Sequence, residues 1–302
     1  MKLERLLVII DPDQDQQPAL QRALWLARQS GVRLHLLQVD YHPRLENGLL
    51  DGHMLKRARE ALLQQRQDSL HASVAEFIDE GLQIDVEVRW HKHRHEAILA
   101  RAAELQVDLL LKSAHPGGML RRLLFSDTCW QLIRHCPMPL WLVHDMHWRG
   151  QRMCTALDPL HSADKPAALD HKLIRESQAL QMQLGLQGDY VHALAPMPHS
   201  LLFDAEVAQA YDDYVTRSAQ AHRQAFDTLI GQYPIAAERA HLLDGFAEDA
   251  IPHFVHKHNI DLLVMGAIAR GQLDSLLIGH TAERVLERVE CDLLVLKADD
   301  KG

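Results

Sequence analysis

Three glycines in the last fifth of the chain sit where a phosphate cradle would need them. Gly266, Gly271 and Gly279 lie in "MGAIARGQLDSLLIGHT", between a strand-like run and an amphipathic stretch that reads as a helix. Glycine adopts positive φ freely and lets backbone N–H groups approach an anion with no Cβ in the way, and the N-terminus of the next helix adds a favourable dipole. Arg270 places a cation inside the loop, while His280 and Thr281 put an imidazole and a hydroxyl at the start of the helix. The chemistry implied is capture of a phosphate-bearing ligand.

A second concentration of chemistry is "WHKHRHEAI" at 90–98, the densest patch in a chain with 21 His. In an extended segment His91, His93 and His95 would point to one side, because side chains alternate with period two. Three imidazoles, with Glu96 as a fourth ligand, form a candidate site for zinc or copper. The competing reading is a solvent-exposed loop, since the other histidines are scattered and no Cys joins the patch. Catalytic signatures are missing: there is no HExxH, no GxxxxGK[ST] and no Ser-His-Asp arrangement around a nucleophile elbow. No catalytic residue is named.

The elements that must position these residues occur twice. A shift of 153 residues lays "DLLLKSAHPGGMLRRLLFSDTCWQLIRHCPMPLWLV" on "DLLVMGAIARGQLDSLLIGHTAERVLERVECDLLVL", with identities that include Asp108 with Asp261, Leu109 with Leu262, Thr128 with Thr281 and Leu140 with Leu293. Upstream, Ala97 and Ile98 match Ala250 and Ile251, and "RLLVIIDP" has its counterpart in "RMCTALDP". Two domains follow, 1–147 and 150–302, each of ordinary domain size. In the first, the apolar run Leu6 to Ile10 reads as a parallel strand covered on both faces. Leu20, Ala23, Leu24 and Ala27 are at helical spacing between Pro18 and Gly31, natural start and stop signals. Strands are expected at 32–39, in "QIDVEVRW", "DLLLK" and "PLWLV", and helices over 52–80, from about 95 and from about 120. Alternating strands and helices imply crossover connections and a mostly parallel sheet with helices on both faces.

Composition narrows the function classes. Hydrophobic residues at 47% and charged residues at 24% suit a folded, soluble chain. The net charge of -9, with no dense basic stripe, argues against nucleic acid, and runs such as "LRRLL" at 120–124 read as solvated helix faces. The first apolar run stops at Asp11, too short for a signal peptide or a membrane span, so the cytoplasm is the expected compartment and no membrane insertion is expected. Cys129, Cys136, Cys154 and Cys291 form no CxxC pair and read as reduced, mostly buried thiols.

The order of elements, the Asp closing the first strand and the segment from Asp261 to Lys297 resemble the universal stress protein family, in its tandem, E-type form. The resemblance covers nearly all of both halves. It implies an α/β fold of two tandem Rossmann-like (adenine nucleotide alpha hydrolase-like) domains, each with a mostly parallel five-stranded sheet. The family's nucleotide binders carry Gly, two residues, Gly, nine residues, then Gly followed by Ser or Thr. Here those columns hold Gly266, Ala269, Gly279 and His280, so two of four depart, and Thr281 supplies a hydroxyl one residue late. In the first half they hold Ser113, Pro116, Ser126 and Asp127. Pro116 lacks an N–H, and Asp127 puts negative charge where a phosphate would lie. The family's Asp at the end of the first strand, which meets adenosine, matches Asp11 and Asp158, although Asp-Pro also starts turns well.

The resemblance therefore implies a stress-response binding or sensing protein. The first half would have a degenerate phosphate loop, and the second would take ATP or another adenine nucleotide. Slow ATP hydrolysis would be the one enzymatic property to expect. Pairing of the last strands, "PLWLV" with "DLLVL", is expected to join the two halves, with a homo-oligomer as a further state. A carrier or sensor of an apolar, lipid-like or metal-dependent small ligand is the alternative, prompted by Met197, Leu201, Leu202 and Phe203, which cluster without regular spacing.

Overall fold

Apolar runs bounded by turn residues become the central strands of each half. β1 (Arg5–Ile10) is buried from Leu6 onward, as a parallel strand covered on both faces should be. α1 (Pro18–Ser30) begins on Pro18, whose missing N–H costs nothing in a first turn. It ends at Gly31, which takes the left-handed region at φ 70° and closes its N–H on the Ala27 carbonyl at 2.8 Å. The computed structural model describes residues 3–46, 52–114, 125–160, 168–196, 205–266 and 278–298. The chain divides into two compact units, 1–148 and 149–302.

The first unit continues with β2 (Arg33–Asp40), α2 (Gly52–Asp79), β3 (Ile84–Trp90), α3 (Arg94–Leu105), β4 (Leu109–Ser113), α4 (Asp127–His135) and β5 (Leu140–Val143). The helix expected from about 120 is described only from Asp127, where the Ser126 hydroxyl caps it by accepting the Cys129 N–H at 3.2 Å. Residues 115–124, with Pro116 and the basic run, lie outside the described residues. The second unit repeats the order: β6 (Arg152–Ala156), α5 (Ala168–Leu184), β7 (Gln187–Leu194), α6 (Ala205–Ile230), β8 (Ala240–Asp244), α7 (Ala247–Lys257), β9 (Leu262–Gly266), α8 (His280–Arg288) and β10 (Asp292–Leu296).

Each unit carries a five-stranded sheet, ordered β3-β2-β1-β4-β5 in the first and β8-β7-β6-β9-β10 in the second. The strand pairs described within each unit are parallel. In both, the chain winds outward from the middle strand in one direction, then crosses back to build the other side. A crevice opens where the direction reverses, at the carboxyl ends of β1 and β4 and of β6 and β9, which is where open α/β sheets take their ligands.

The duplicated Asp108 and Asp261 hold the same post in their units. Asp108 Oδ2 accepts the N–H groups of Glu4 and Arg5, both at 2.8 Å, and Asp261 Oδ2 accepts those of Gln151 and Arg152, both at 3.0 Å. Each ties the start of its unit's first strand to the strand that will flank the crevice. The four cysteines are free and buried. Burial pushes the Cys154 and Cys291 thiols upward, which keeps them protonated.

Candidate functional site

At the second unit's crevice the carboxyl ends of β6, β7 and β9 leave a cavity of about 460 Å³. Its floor and walls are largely apolar, with Leu169 and Leu173 from α5, Ile251 from α7, Met265 from β9 and Val285 from α8. Asp158, two residues beyond β6, lines the cavity and is exposed, its N–H donating to Asp170 Oδ1 at 3.2 Å. Gly266 closes β9 against α5. A Cβ built there would stand 2.6 Å from Leu169 Cδ2, so this glycine provides room. Gly279 is the N-cap of α8 at φ -63°, and that helix start has no side-chain cap bond. The cradle's glycines were expected to supply positive φ; at these two positions they supply room beside α5 and a helix start whose first N–H groups have no acceptor within the helix.

Two further residues complete the wall away from α8. His192, on β7, is 3% exposed, with Nδ1 3.0 Å from the Leu157 carbonyl oxygen and Nε2 2.8 Å from Nδ1 of His222 on α6. The two rings are near parallel, 5.0 Å apart between centroids, and both residues line the cavity. Their signal in the sequence was slight: a His third in "YVHALAP", and another 30 residues on.

The first unit's crevice is built differently. Lys112, where β9 has Met265, is buried and sends Nζ to Asp11 Oδ2 at 2.7 Å and to the Ser113 carbonyl at 3.3 Å. Gln17 folds the Asp11 turn on itself, donating to the Asp11 carbonyl at 2.8 Å and accepting the Asp11 N–H at 3.2 Å. Ser113, in the column of Gly266, offers its hydroxyl to the Ala19 N–H at 3.2 Å. The start of α4 is occupied by its own Ser126 cap and by Asp127, whose charge suits a helix N-terminus. The groups that would meet a ligand meet each other.

These geometries sit on sequences matched by the model of the universal stress protein family at residues 2–144 and again at 152–297. The chain belongs to the universal stress protein family. It carries two copies of the family's domain, and with the family comes a place among stress-response proteins. It is 30% identical to Universal stress protein E of Photorhabdus laumondii, over 98% of this chain and 95% of that one. Against Universal stress protein E of Escherichia coli K12 the identity is again 30%, over 98% and 94%. A solved structure from Pseudomonas aeruginosa PAO1, described as a functionally unknown protein, superposes with a TM-score of 0.74 at 25% identity, covering 99% of this chain and 94% of that one.

Of the residues expected at the universal stress protein cradle, Asp158, Gly266, Gly279 and Thr281 line one cavity. His280, the first residue of α8, is exposed and does not line it, so the hydroxyl of Thr281 stands in the better place. Ala269, Arg270 and Gly271 lie outside the described residues, as do Met197, Leu201, Leu202 and Phe203. The histidine patch is not the extended segment expected. β3 ends at Trp90, His93 is the N-cap of α3 and His95 lies in its first turn, so the period-two alternation is broken. The rings of His91 and His93 are 6.2 Å apart and those of His93 and His95 6.5 Å, while His91 Nδ1 turns onto the His93 backbone, 2.8 Å from its carbonyl oxygen. Among the described residues no group of three or more His, Cys, Asp or Glu side chains is placed to hold a metal ion. No helix among them is long and apolar enough to cross a membrane.

Proposed function

We propose that the second unit binds an adenine nucleotide at the β6–β9 crevice and that the chain acts in the stress response as a binding or sensing module. The carrying observation is the contrast at one sheet position. Met265 leaves Asp158 facing a cavity bordered by Gly266 and the uncapped start of α8, where Lys112 fills the first unit's crevice and pairs with Asp11. An apolar box with an acceptor near one strand end and the first-turn N–H groups of a helix at another suits a nucleoside with phosphates. Hydrolysis is not needed for this role.

The apolar lining also favours a second reading, an apolar small ligand carried in the same cavity. Native mass spectrometry of the purified protein, followed by ATP titration in a calorimeter, separates the two. A bound nucleotide mass, or ATP binding that disappears in Gly279→Trp, supports the first reading. A lipid-like mass with no response to millimolar ATP replaces it with the second.

A further inference from the structure

Resting on the nucleotide reading, we infer that His222, fixed in one tautomer by His192, reads the base: the cavity selects a purine with an amino group over one with an oxo group at the same ring position. A chain of hydrogen bonds fixes the tautomer. The Leu157 carbonyl can only accept, so the His192 nitrogen 3.0 Å from it, Nδ1, carries the proton. In a neutral imidazole that leaves Nε2 of His192 as an acceptor. His222 Nδ1, 2.8 Å away, must then donate. With its proton committed to Nδ1, the neutral His222 presents Nε2 as an acceptor, and no described residue hydrogen-bonds it.

Placement fits the far end of a nucleotide. β9, β6 and β7 are consecutive neighbours in the sheet. At roughly 4.8 Å per strand, β7 stands about 10 Å from the Gly266 end of the cavity, comparable to the reach from a nucleotide's phosphate to the outer edge of its base. Other charged or titratable groups lining the cavity are Asp158, beyond β6, Asp170 on α5 and Glu248 on α7, and no Lys or Arg lines it among the described residues. An acceptor-rich wall welcomes an N–H donor. An oxo group in the same place would set one lone pair against another.

The test is calorimetric titration of the full chain at pH 8 with ATP and with inosine triphosphate, for the parent protein and for His222→Gln and His222→Phe. The parent should favour ATP by about tenfold or more, the scale of one hydrogen bond to a polar group otherwise left unmatched. Gln, whose amide both donates and accepts, should bind the two ligands within about threefold of each other. Phe should lose ATP affinity and leave inosine triphosphate unchanged. Equal affinities in the parent, or discrimination that survives both substitutions, overturn the inference while leaving nucleotide binding in place. Failure of the parent to bind either triphosphate removes the nucleotide reading and this inference with it.

Discussion

The two crevices share their strands, their order and the aspartate beside the first strand, and they differ most at one side chain. In the first unit Lys112 reaches back to Asp11, and in the second Met265 does not reach Asp158. A ligand site needs polar groups that line a cavity. Once a lysine satisfies the carboxylate and a serine caps the neighbouring helix, the same architecture becomes a support. A crevice of this kind can have its polar groups paired internally without disturbing the sheet around it.

Substitution at Lys112 tests that internal pairing. Lys112→Met, which copies the second unit, strips the partner from a carboxylate only 14% exposed and should destabilise the first unit by roughly 3 kcal/mol. Adding Asp11→Asn should restore most of it, because the orphaned charge goes too. Urea unfolding of the single and double variants reads both outcomes, and equal stability of the two would show that the pair is incidental. In the second unit the mirror change, Met265→Lys, should place an ammonium beside Asp158 and abolish ATP binding while leaving the fold intact by circular dichroism.

Much of this frame was legible in the sequence, because a duplicated pattern of apolar runs and glycine or proline stops admits few folds. Pro18 and Gly31 bound α1 as their backbone preferences require. Gly266 and Gly279 could be placed beside the cavity because strand ends and helix starts are local events, while Asp158 came with the family resemblance. Lys112 could not. A lysine inside "DLLLK" reads as the polar end of a strand, and its partnership with Asp11 spans a crossover that only the folded sheet brings together. His192 and His222 escaped for the same reason, since a hydrogen bond between a strand and a distant helix has no spacing rule. The patch at 91–95 left two readings open in the sequence, because a strand, a turn and a helix meet there and no single period governs it.

A second comparison concerns an acid and a histidine that have exchanged strands. In the first unit His35, third in β2, meets Glu87 on β3 with Nε2 2.7 Å from Oε2. In the second, Asp189, third in β7, meets His241 on β8 at 3.1 Å. Burial alone would raise both carboxyls. Hydrogen bonds from Arg89, His35 and Arg101 to Glu87, and from Arg152 and His241 to Asp189, outweigh it and hold both below the usual range. A depressed carboxyl contributes stability above its unfolded pKa, about 4, and loses it as pH falls through the lower folded value. Acid unfolding below about pH 4 should therefore be blunted in Asp189→Asn and Glu87→Gln. At pH 7 Asp189→Asn should cost more, about 2–3 kcal/mol against about 1 for Glu87→Gln, because Asp189 is 2% exposed and Glu87 20%.

The repeated aspartates at the strand starts should behave alike. Asp108→Ala and Asp261→Ala each release two backbone N–H groups and should cost about 1–2 kcal/mol. Asp261 should cost somewhat more, since it also accepts from Arg149 Nε at 2.9 Å. A large inequality in the other direction, seen in denaturant midpoints, would mean that the duplicated geometry hides unequal loads.

A milder change is expected where the second unit has repaired a fault that the first does not have. α7 carries Pro252 inside it, at the position where α3 has Leu99. Proline has no N–H, so the carbonyl of Glu248, four residues earlier, loses its helical partner. Arg288 of α8 supplies one, donating from Nη1 to that carbonyl at 3.0 Å and pairing with Asp249, while Arg284 holds the Glu248 carboxylate at 3.0 Å. Arg288→Met should cost about 0.5–1 kcal/mol, the scale of one partly exposed hydrogen bond. In a Pro252→Ala background the helix can close its own bond and the same substitution should cost less, giving a coupling of about 0.5 kcal/mol in a double-mutant cycle. Zero coupling would mean that Arg288 acts through Asp249 alone. Coupling of the expected sign would show α8, whose N-terminal end borders the second unit's cavity, to be seated on α7 by a bond that exists because of a proline.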